Sequence, residues 1–142
     1  MVYLLLYVDD IIITGSNSSI VSDIIQQLSA TFALKDLGPL SYFLGLQFEY
    51  TPTGIFDHQS KYAKDLLIKF NMLDCKPCSN PCCSSHHLVP ANSPLLTYPT
   101  AYRSLVGALQ YITFTRPDLS YAIQQACQFM SHPTSHHLVV AK

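Results

Sequence analysis

Two adjacent carboxylates, Asp9 and Asp10, stand between two apolar runs near the start of this 142-residue chain. The runs, 2–8 and 11–13, are rich in β-branched and aromatic residues, which is typical of buried strands, although periodicity alone does not separate them from a buried helix. Two such runs around a pair of acids predict a tight hairpin with both carboxylates at its tip. Hard divalent cations take carboxylate oxygens as ligands. The pattern therefore indicates a metal-binding hairpin, with a plain polar turn as the alternative.

A second set of candidate ligands lies in the middle of the chain. Cys-x-x-Cys spacing fits tetrahedral zinc, and His86-His87 follow within reach of a four-ligand site. The surrounding residues are mostly Pro, Ser and Asn, which favour a linker over a zinc fold, so incidental reduced thiols are the alternative. The four candidate zinc ligands are Cys75, Cys78, Cys82 and Cys83.

The residues after the hairpin predict the elements that hold it. Polar residues 16–19 offer helix N-caps, and apolar residues then recur at helical spacing to Phe32, so we expect a helix packed on the hairpin's sheet. Residues 42–50 alternate between two faces, which predicts one strand, a turn at 51–54 and a returning strand. Helical spacing resumes over 59–70. Together these patterns predict an α+β fold.

The last third of the chain predicts helices. Thr100 and Asp118 are the expected caps of two helices, and a third begins near Thr134. Gly107 lies inside the first of them, where we expect a close helix crossing to compensate for its low helix propensity. We further expect Arg103 and Arg116 to pair with acids or to meet nucleic acid. We expect His136 and His137 to form an exposed helix start, with a metal site as the alternative.

The overall composition restricts the class of protein. Only 12% of the residues are charged, the net charge is −1, and there are eight Lys and Arg. This charged fraction is low for a soluble domain, so we expect part of the protein's surface to pack against another protein or segment. No apolar stretch approaches the roughly 20 residues of a membrane helix. Five cysteines without a leader segment indicate reduced thiols, so we expect an intracellular protein that is not secreted, in an unspecified compartment.

The tetrapeptide Tyr7-Val8-Asp9-Asp10 resembles the YVDD catalytic hairpin of reverse transcriptases. With the flanking residues from Leu5 to Gly15, it is similar in particular to the enzymes of copia-type retrotransposons. Four further segments carry the same resemblance across the whole chain: 35–46, 58–67, 102–111 and 115–118.

The resemblance implies an architecture. Residues 1–57 would be the C-terminal part of a polymerase palm, made of the YVDD hairpin, a packing helix and a second hairpin. Residues 58–70 would be a thumb-entry helix, 71–99 a Pro- and Cys-rich linker, and 100–142 a helical thumb or connection region.

It also implies roles for individual residues. Asp9 would bind the catalytic Mg²⁺ and Asp10 would support it. The segment Phe43-Leu44-Gly45 matches the primer grip, where Gly45 would let another backbone approach closely or would simply mark a strand irregularity. Lys35 is a candidate general acid for departing pyrophosphate, or else a solvated charge.

The implied activity is RNA-directed DNA polymerisation with two Mg²⁺ on an RNA or DNA template-primer. The family's first catalytic Asp, its fingers and its ribonuclease H segment do not appear in these 142 residues. We therefore expect a fragment that does not polymerise on its own and needs the missing fingers, palm and ribonuclease H segments as partners. The alternatives are a non-catalytic remnant that binds protein or nucleic acid, and a small zinc-binding module.

Overall fold

The computed structural model describes residues 1–78 and 93–142, and these contain both helices and strands. This mixture confirms the predicted α+β class. The chain divides into an N-terminal unit, Met1–Phe43, and a C-terminal unit, Leu44–Lys142. The boundary between them falls inside the segment 1–57, and the division into four functional segments stays a prediction.

The N-terminal unit begins with a β-hairpin. Strands β1 (Val2–Tyr7) and β2 (Asp10–Gly15) pair antiparallel, in a register that sets Tyr7 opposite Asp10. Only Val8 and Asp9 remain for the loop, so the hairpin closes with two residues. The predicted tight hairpin with the acids at its tip is confirmed.

The prediction that these two strands are buried is wrong. Leu4, Leu5 and Leu6 of β1 are each more than half exposed, at 53%, 54% and 62%. None of residues 1–43 is buried. The reason is that a two-stranded sheet has no central strand, and a single helix covers only part of one face. The apolar runs therefore predicted the strands correctly but not their surroundings.

Helix α1 (Ser18–Thr31) contacts β2, as predicted. Its N-cap is Asn17, whose Oδ1 accepts hydrogen bonds from the backbone N–H groups of Ser19 and Ile20 at 2.9 and 3.5 Å. This cap satisfies two of the four N–H groups that a helix start leaves without partners. An irregular segment then leads to the short strand β3 (Tyr42–Phe43).

The predicted single strand over 42–50 is wrong, because the chain turns at Leu44 and Gly45. Both residues have left-handed φ angles, 49° and 82°. Strand β4 (Leu46–Thr51) starts after this turn and pairs antiparallel with β5 (Gly54–His58), so the predicted turn at 51–54 and returning strand are confirmed. Side-chain alternation missed the first turn because Leu44 has the apolar character that the strand pattern requires.

Helix α2 (Ser60–Lys69) follows β5 and confirms the predicted helix. The buried side chain of Gln59 anchors its start, because the amide lies 2.9 Å from the Thr115 hydroxyl. This contact ties the N-terminus of α2 to the segment just after α3 (Thr100–Ile112).

The core of the C-terminal unit lies between α3, α4 (Ser120–Cys127) and α5 (Ser135–Ala141). Tyr102 and Val106 of α3 are fully enclosed there and pack with Ala126 of α4. The Tyr102 hydroxyl donates to the Ala126 carbonyl at 2.7 Å. Burial, with a smaller contribution from nearby Cys127, raises the pKa of Tyr102. The phenol therefore stays neutral in a site where an anion would lack water.

Both predicted caps of α3 and α4 are wrong. The N-cap of α3 is Pro99, which makes no side-chain cap bond, and that of α4 is Leu119. Asp118 lies in a short 3₁₀ turn before α4, and its carboxylate accepts two bonds from Arg116, at 2.9 and 2.7 Å. The guanidinium offers two donors to this carboxylate, so Asp118 serves the ion pair and not the helix end.

The prediction of a close helix crossing at Gly107 is also wrong. A methyl group at Gly107 would meet nothing within 4 Å. Nothing in the structure explains this glycine.

Arg103 has a structural role, which was one of the two expectations for it. Its partners are backbone carbonyls, whereas the expected partners were acids. Its guanidinium donates to the Met130 and Ser131 carbonyls at 2.8 and 3.2 Å. These bonds join the start of α3 to the chain just after α4.

Helix α5 starts where predicted, but His137 is buried and not exposed, at 1%. Thr134 and His137 form a reciprocal cap: the Thr134 hydroxyl accepts from the His137 N–H, and His137 Nδ1 accepts from the Thr134 N–H at 3.1 Å. The ring also lies 4.0 Å from that of Phe129. This histidine is therefore part of the core.

Within the described ranges, no helix combines the length and apolar character that crossing a bilayer requires.

Candidate active site

The hairpin loop presents the two candidate catalytic acids to solvent. Asp9 is the second loop residue and Asp10 the first residue of β2, and both are exposed. Val8, the first loop residue, has a φ of 55°. β-branched residues rarely adopt this left-handed region, so the loop holds backbone strain directly beside Asp9.

A cavity of about 400 Å³ opens beside this loop in the N-terminal unit. Asp9 and Asp10 line it together with Lys35 and Asp36, which come from the segment after α1. The structure thus brings the candidate general acid Lys35 to the same cavity as the two acids. Asp36 was not predicted, and its Oδ1 accepts a bond from the Gly38 N–H at 2.8 Å. An acid followed two residues later by glycine is a common turn pattern, so its sequence indicated a turn and not a site.

The carboxylates of Asp9 and Asp10 are the type of ligand that Mg²⁺ prefers, but there are fewer of them than the ion needs. Adjacent carboxylates offer the hard oxygen ligands that this ion prefers. All nine Asp and Glu lie in the described ranges, yet no three His, Cys, Asp or Glu residues there are grouped to hold a metal ion. Asp9 and Asp10 therefore fit as part of a metal site that needs further ligands.

Phe43, the first residue of the candidate primer grip, lies in the N-terminal unit and lines the same cavity. Its ring meets the ring of Tyr7 edge to face, with centroids 6.3 Å apart. The YVDD tyrosine and the primer-grip phenylalanine are thus in direct contact.

Leu44 and Gly45, the other two residues of the candidate primer grip, form the left-handed turn in the C-terminal unit. The hydroxyl of Tyr111 donates to the Leu44 carbonyl. A methyl group on Gly45 would lie 3.3 Å from Cε1 of the same ring. The predicted close approach at Gly45 exists, but a side-chain ring makes it and not a backbone, and the positive φ is a second reason for glycine there.

A second tyrosine supports this contact. The rings of Tyr62 and Tyr111 meet at 76° with centroids 5.2 Å apart, and the Tyr62 hydroxyl donates to the Ala108 carbonyl at 3.2 Å. Burial raises the pKa of Tyr62, with a smaller contribution from Tyr111. Sequence analysis missed Tyr111 because its partner lies 67 residues earlier and no local pattern marks the pair.

The candidate zinc ligands are only partly described. Cys75 and Cys78 lie exposed in an irregular segment, while Cys82, Cys83 and the pair His86-His87 lie outside the described residues. The zinc site stays a prediction.

Comparison with known proteins identifies the family. The family described as Reverse transcriptase (RNA-dependent DNA polymerase) matches residues 1–84. An uncharacterized mitochondrial protein of Arabidopsis thaliana is 51% identical over 93% of this chain and 55% of its own length. The retrovirus-related Pol polyprotein from transposon RE1 of the same plant is 44% identical over the whole chain and 10% of the polyprotein. That from transposon TNT 1-94 of Nicotiana tabacum is 33% identical over 99% of the chain and 11% of the polyprotein.

No solved structure matches the chain. The chain spans about half the length of the first of these relatives and about a tenth of the polyproteins. The family match covers more than half of the sequence, and it includes the YVDD hairpin and the turn at Leu44 and Gly45. The chain belongs to the reverse transcriptase family of copia-type retrotransposons.

Proposed function

We propose that this chain contributes the metal-binding hairpin of an RNA-directed DNA polymerase, with Asp9 as a direct ligand of catalytic Mg²⁺ and Asp10 in support. One observation carries the proposal: the two acids stand at an exposed two-residue hairpin loop, beside a cavity that Lys35 also lines. A site open to solvent on one side can admit a triphosphate, which a buried acid pair cannot.

The proposed reaction is nucleotidyl transfer. The primer 3′ hydroxyl gives its proton to solvent water, its oxygen forms a bond to the α-phosphorus of a deoxynucleotide, and the bond from that phosphorus to pyrophosphate breaks. Divalent cations bound in such sites stabilise the attacking and leaving oxygens. Asp9 and Asp10 would supply carboxylate oxygens as part of the ligand set that holds the ions. Lys35, which lines the same cavity, would donate a proton to the departing pyrophosphate, for which an ammonium group is chemically suited.

The turn that contains Phe43, Leu44 and Gly45 is the proposed contact for the primer strand of an RNA or DNA template-primer. Eight Lys and Arg in 142 residues are few for a protein that neutralises many phosphates. We infer that most of the basic cleft belongs to other parts of the polymerase. The helices from α2 onwards are proposed to be its thumb or connection region.

Further palm segments are the proposed cover of β1. Leu4 and Leu6 lie on one face of β1 and Leu5 on the other, and all three are more than half exposed, so the hairpin shows apolar side chains on both faces. Asp9 and Asp10 are the two carboxylates of the proposed metal site, and in the described ranges no group of three His, Cys, Asp or Glu residues could hold an ion, whereas two-metal sites are held by several carboxylates. We therefore propose that the chain alone does not polymerise, and that the other palm, finger and ribonuclease H segments are its partners. An intracellular location remains a prediction.

The test of this function is a segment exchange. This chain replaces the matching segment of the transposon RE1 polyprotein, and the chimera extends a DNA primer on an RNA template with Mg²⁺ and deoxynucleotides. We expect extension, and its loss on Asp9→Asn or Asp10→Asn. The control is Asp23→Asn, an exposed acid on α1, which leaves extension intact. An Asp9→Asn chimera that extends as fast as the parent chimera would contradict the proposed role.

The isolated chain is tested in the same assay. We expect no extended primer. If the chain alone does extend the primer, and Asp9→Asn abolishes that extension, then it holds a complete active site and the proposed need for partners is wrong.

A further inference from the structure

We propose that Tyr111 is a positioning residue for the primer: it holds the Leu44–Gly45 turn in the conformation in which that turn contacts the growing strand. The inference rests on the proposed function for its primer contact, but its structural part stands on the C-terminal unit alone. Tyr111 lies in the last turns of α3, far along the chain from the turn it contacts.

The backbone of the Leu44–Gly45 turn is strained. Leu44 has a φ of 49°, in the left-handed region that residues with a side chain seldom occupy. Such a conformation persists only where the surrounding structure fixes it. The Tyr111 hydroxyl donates to the carbonyl of this same residue, and so it stabilises the strained conformation directly.

The ring of Tyr111 packs closely against Gly45. Any side chain at Gly45 would begin 3.3 Å from Cε1 of Tyr111 and 3.7 Å from Cδ2 of Tyr62. The turn therefore rests on an aromatic surface, a side chain at Gly45 would press on the Tyr111 ring, and the φ of 82° is a second reason for glycine there. A loop without such a support would be free to sample other conformations.

Neighbouring side chains hold the ring of Tyr111 in place. Tyr62 meets it edge to face on one side, and Phe114 lies against it at 60° with centroids 5.7 Å apart. Tyr62 is in turn fixed by its bond to the Ala108 carbonyl on α3. The hydroxyl of Tyr111 thus points to the turn from a rigid base, and this is what a positioning residue requires.

The structural test uses the full chain and the variant Tyr111→Phe, which removes one hydroxyl and keeps the ring. Amide hydrogen exchange at Gly45 and Leu46 is measured by NMR, and we expect it to be about tenfold faster than in the wild type. Tyr121→Phe is the matched control, because it removes a hydroxyl from an exposed tyrosine of α4 that lies outside this aromatic cluster. Unchanged exchange in Tyr111→Phe, with the fold intact by circular dichroism, would overturn the proposal.

The functional test uses the RE1 chimera. Tyr111→Phe is expected to raise the KM for template-primer several-fold and to leave the KM for the deoxynucleotide unchanged, which a general loss of folding would not do. Faster exchange with an unchanged KM for template-primer would overturn the primer-positioning role. If the parent chimera is inactive, the proposed function fails, while the exchange measurement still decides whether Tyr111 holds the turn.

Discussion

The ring of Tyr7 meets the ring of Phe43 edge to face, at an interplanar angle of 77° and with centroids 6.3 Å apart. Tyr7 is the last residue of β1, opposite Asp10, and Phe43 ends β3. Since Phe43 lines the same cavity as Asp9 and Asp10, the contact joins the strand that leads into the acids to the start of the proposed primer grip. Such contacts stabilise through the complementary charge of ring edge and ring face.

A double-mutant cycle measures this contact. With Tyr7→Leu and Phe43→Leu, we expect a coupling energy of about 0.5–1 kcal/mol in the free energy of unfolding, near the low end for aromatic pairs because Tyr7 is half exposed. The control replaces Tyr3, which lies on the same strand as Tyr7 and whose hydroxyl donates to the sulfur of Met1, just before that strand. A Tyr7–Phe43 coupling no larger than the Tyr3–Phe43 coupling would show that the rings do not interact in solution.

The strain at Val8 predicts an unusual effect of glycine. Val8 is 82% exposed with a φ of 55°, so its side chain makes few contacts to lose. We expect Val8→Gly to be more stable than Val8→Ala by about 1 kcal/mol, because only glycine accepts this conformation without a steric penalty. Urea denaturation of the two variants gives the comparison. A less stable glycine variant would mean that the loop does not keep the left-handed residue.

The ion pair of Arg116 and Asp118 predicts a pH dependence. The bond from Arg116 holds the pKa of the Asp118 carboxyl below its usual range, and the same bond raises the pKa of the guanidinium. Because the pKa of Asp118 is lower in the folded state, the pair stabilises the fold at any pH above the carboxyl's unfolded-state pKa. This contribution disappears as the pH falls through the folded-state pKa. Both side chains are more than half exposed, so the effect on stability is small.

An NMR titration of the Asp118 carboxyl carbon checks this directly. In the variant Arg116→Gln we expect the midpoint to move up to the usual range. Arg103→Gln is the control, because Arg103 donates to carbonyls and has no carboxylate partner to affect. If the midpoint is the same with and without Arg116, the pair does not form in solution.

The sequence predicted those parts of the fold that local patterns determine. The hairpin at Asp9-Asp10, the helix capped by Asn17 and the turn before β5 follow from residues close together in the chain. The hairpin and helix patterns therefore predicted where the candidate acids lie and that a helix packs beside them. Each of these elements is specified within about a dozen residues, which is the range over which periodicity and capping act.

The failures have two physical causes: long-range contacts override local preference, and a nearby side chain can draw a residue away from its usual role. The exposure of β1 depends on which layers are present to cover it, and the break at Leu44 depends on Tyr111 of a distant helix. His137 looked like an exposed polar residue, but its ring completes a cap inside the core. Asp118 has a residue type that caps helices, yet the nearby Arg116 is the stronger partner.

Metal binding by the hairpin is the central claim, and paramagnetic Mn²⁺ as a substitute for Mg²⁺ tests it most directly. In NMR spectra of the isolated chain, small additions of Mn²⁺ should broaden the amide signals of Asp9 and Asp10 first. Asp9→Asn should weaken that broadening, while Asp23→Asn should not. Broadening that appears elsewhere in the chain, or that is the same in Asp9→Asn, would contradict the claim.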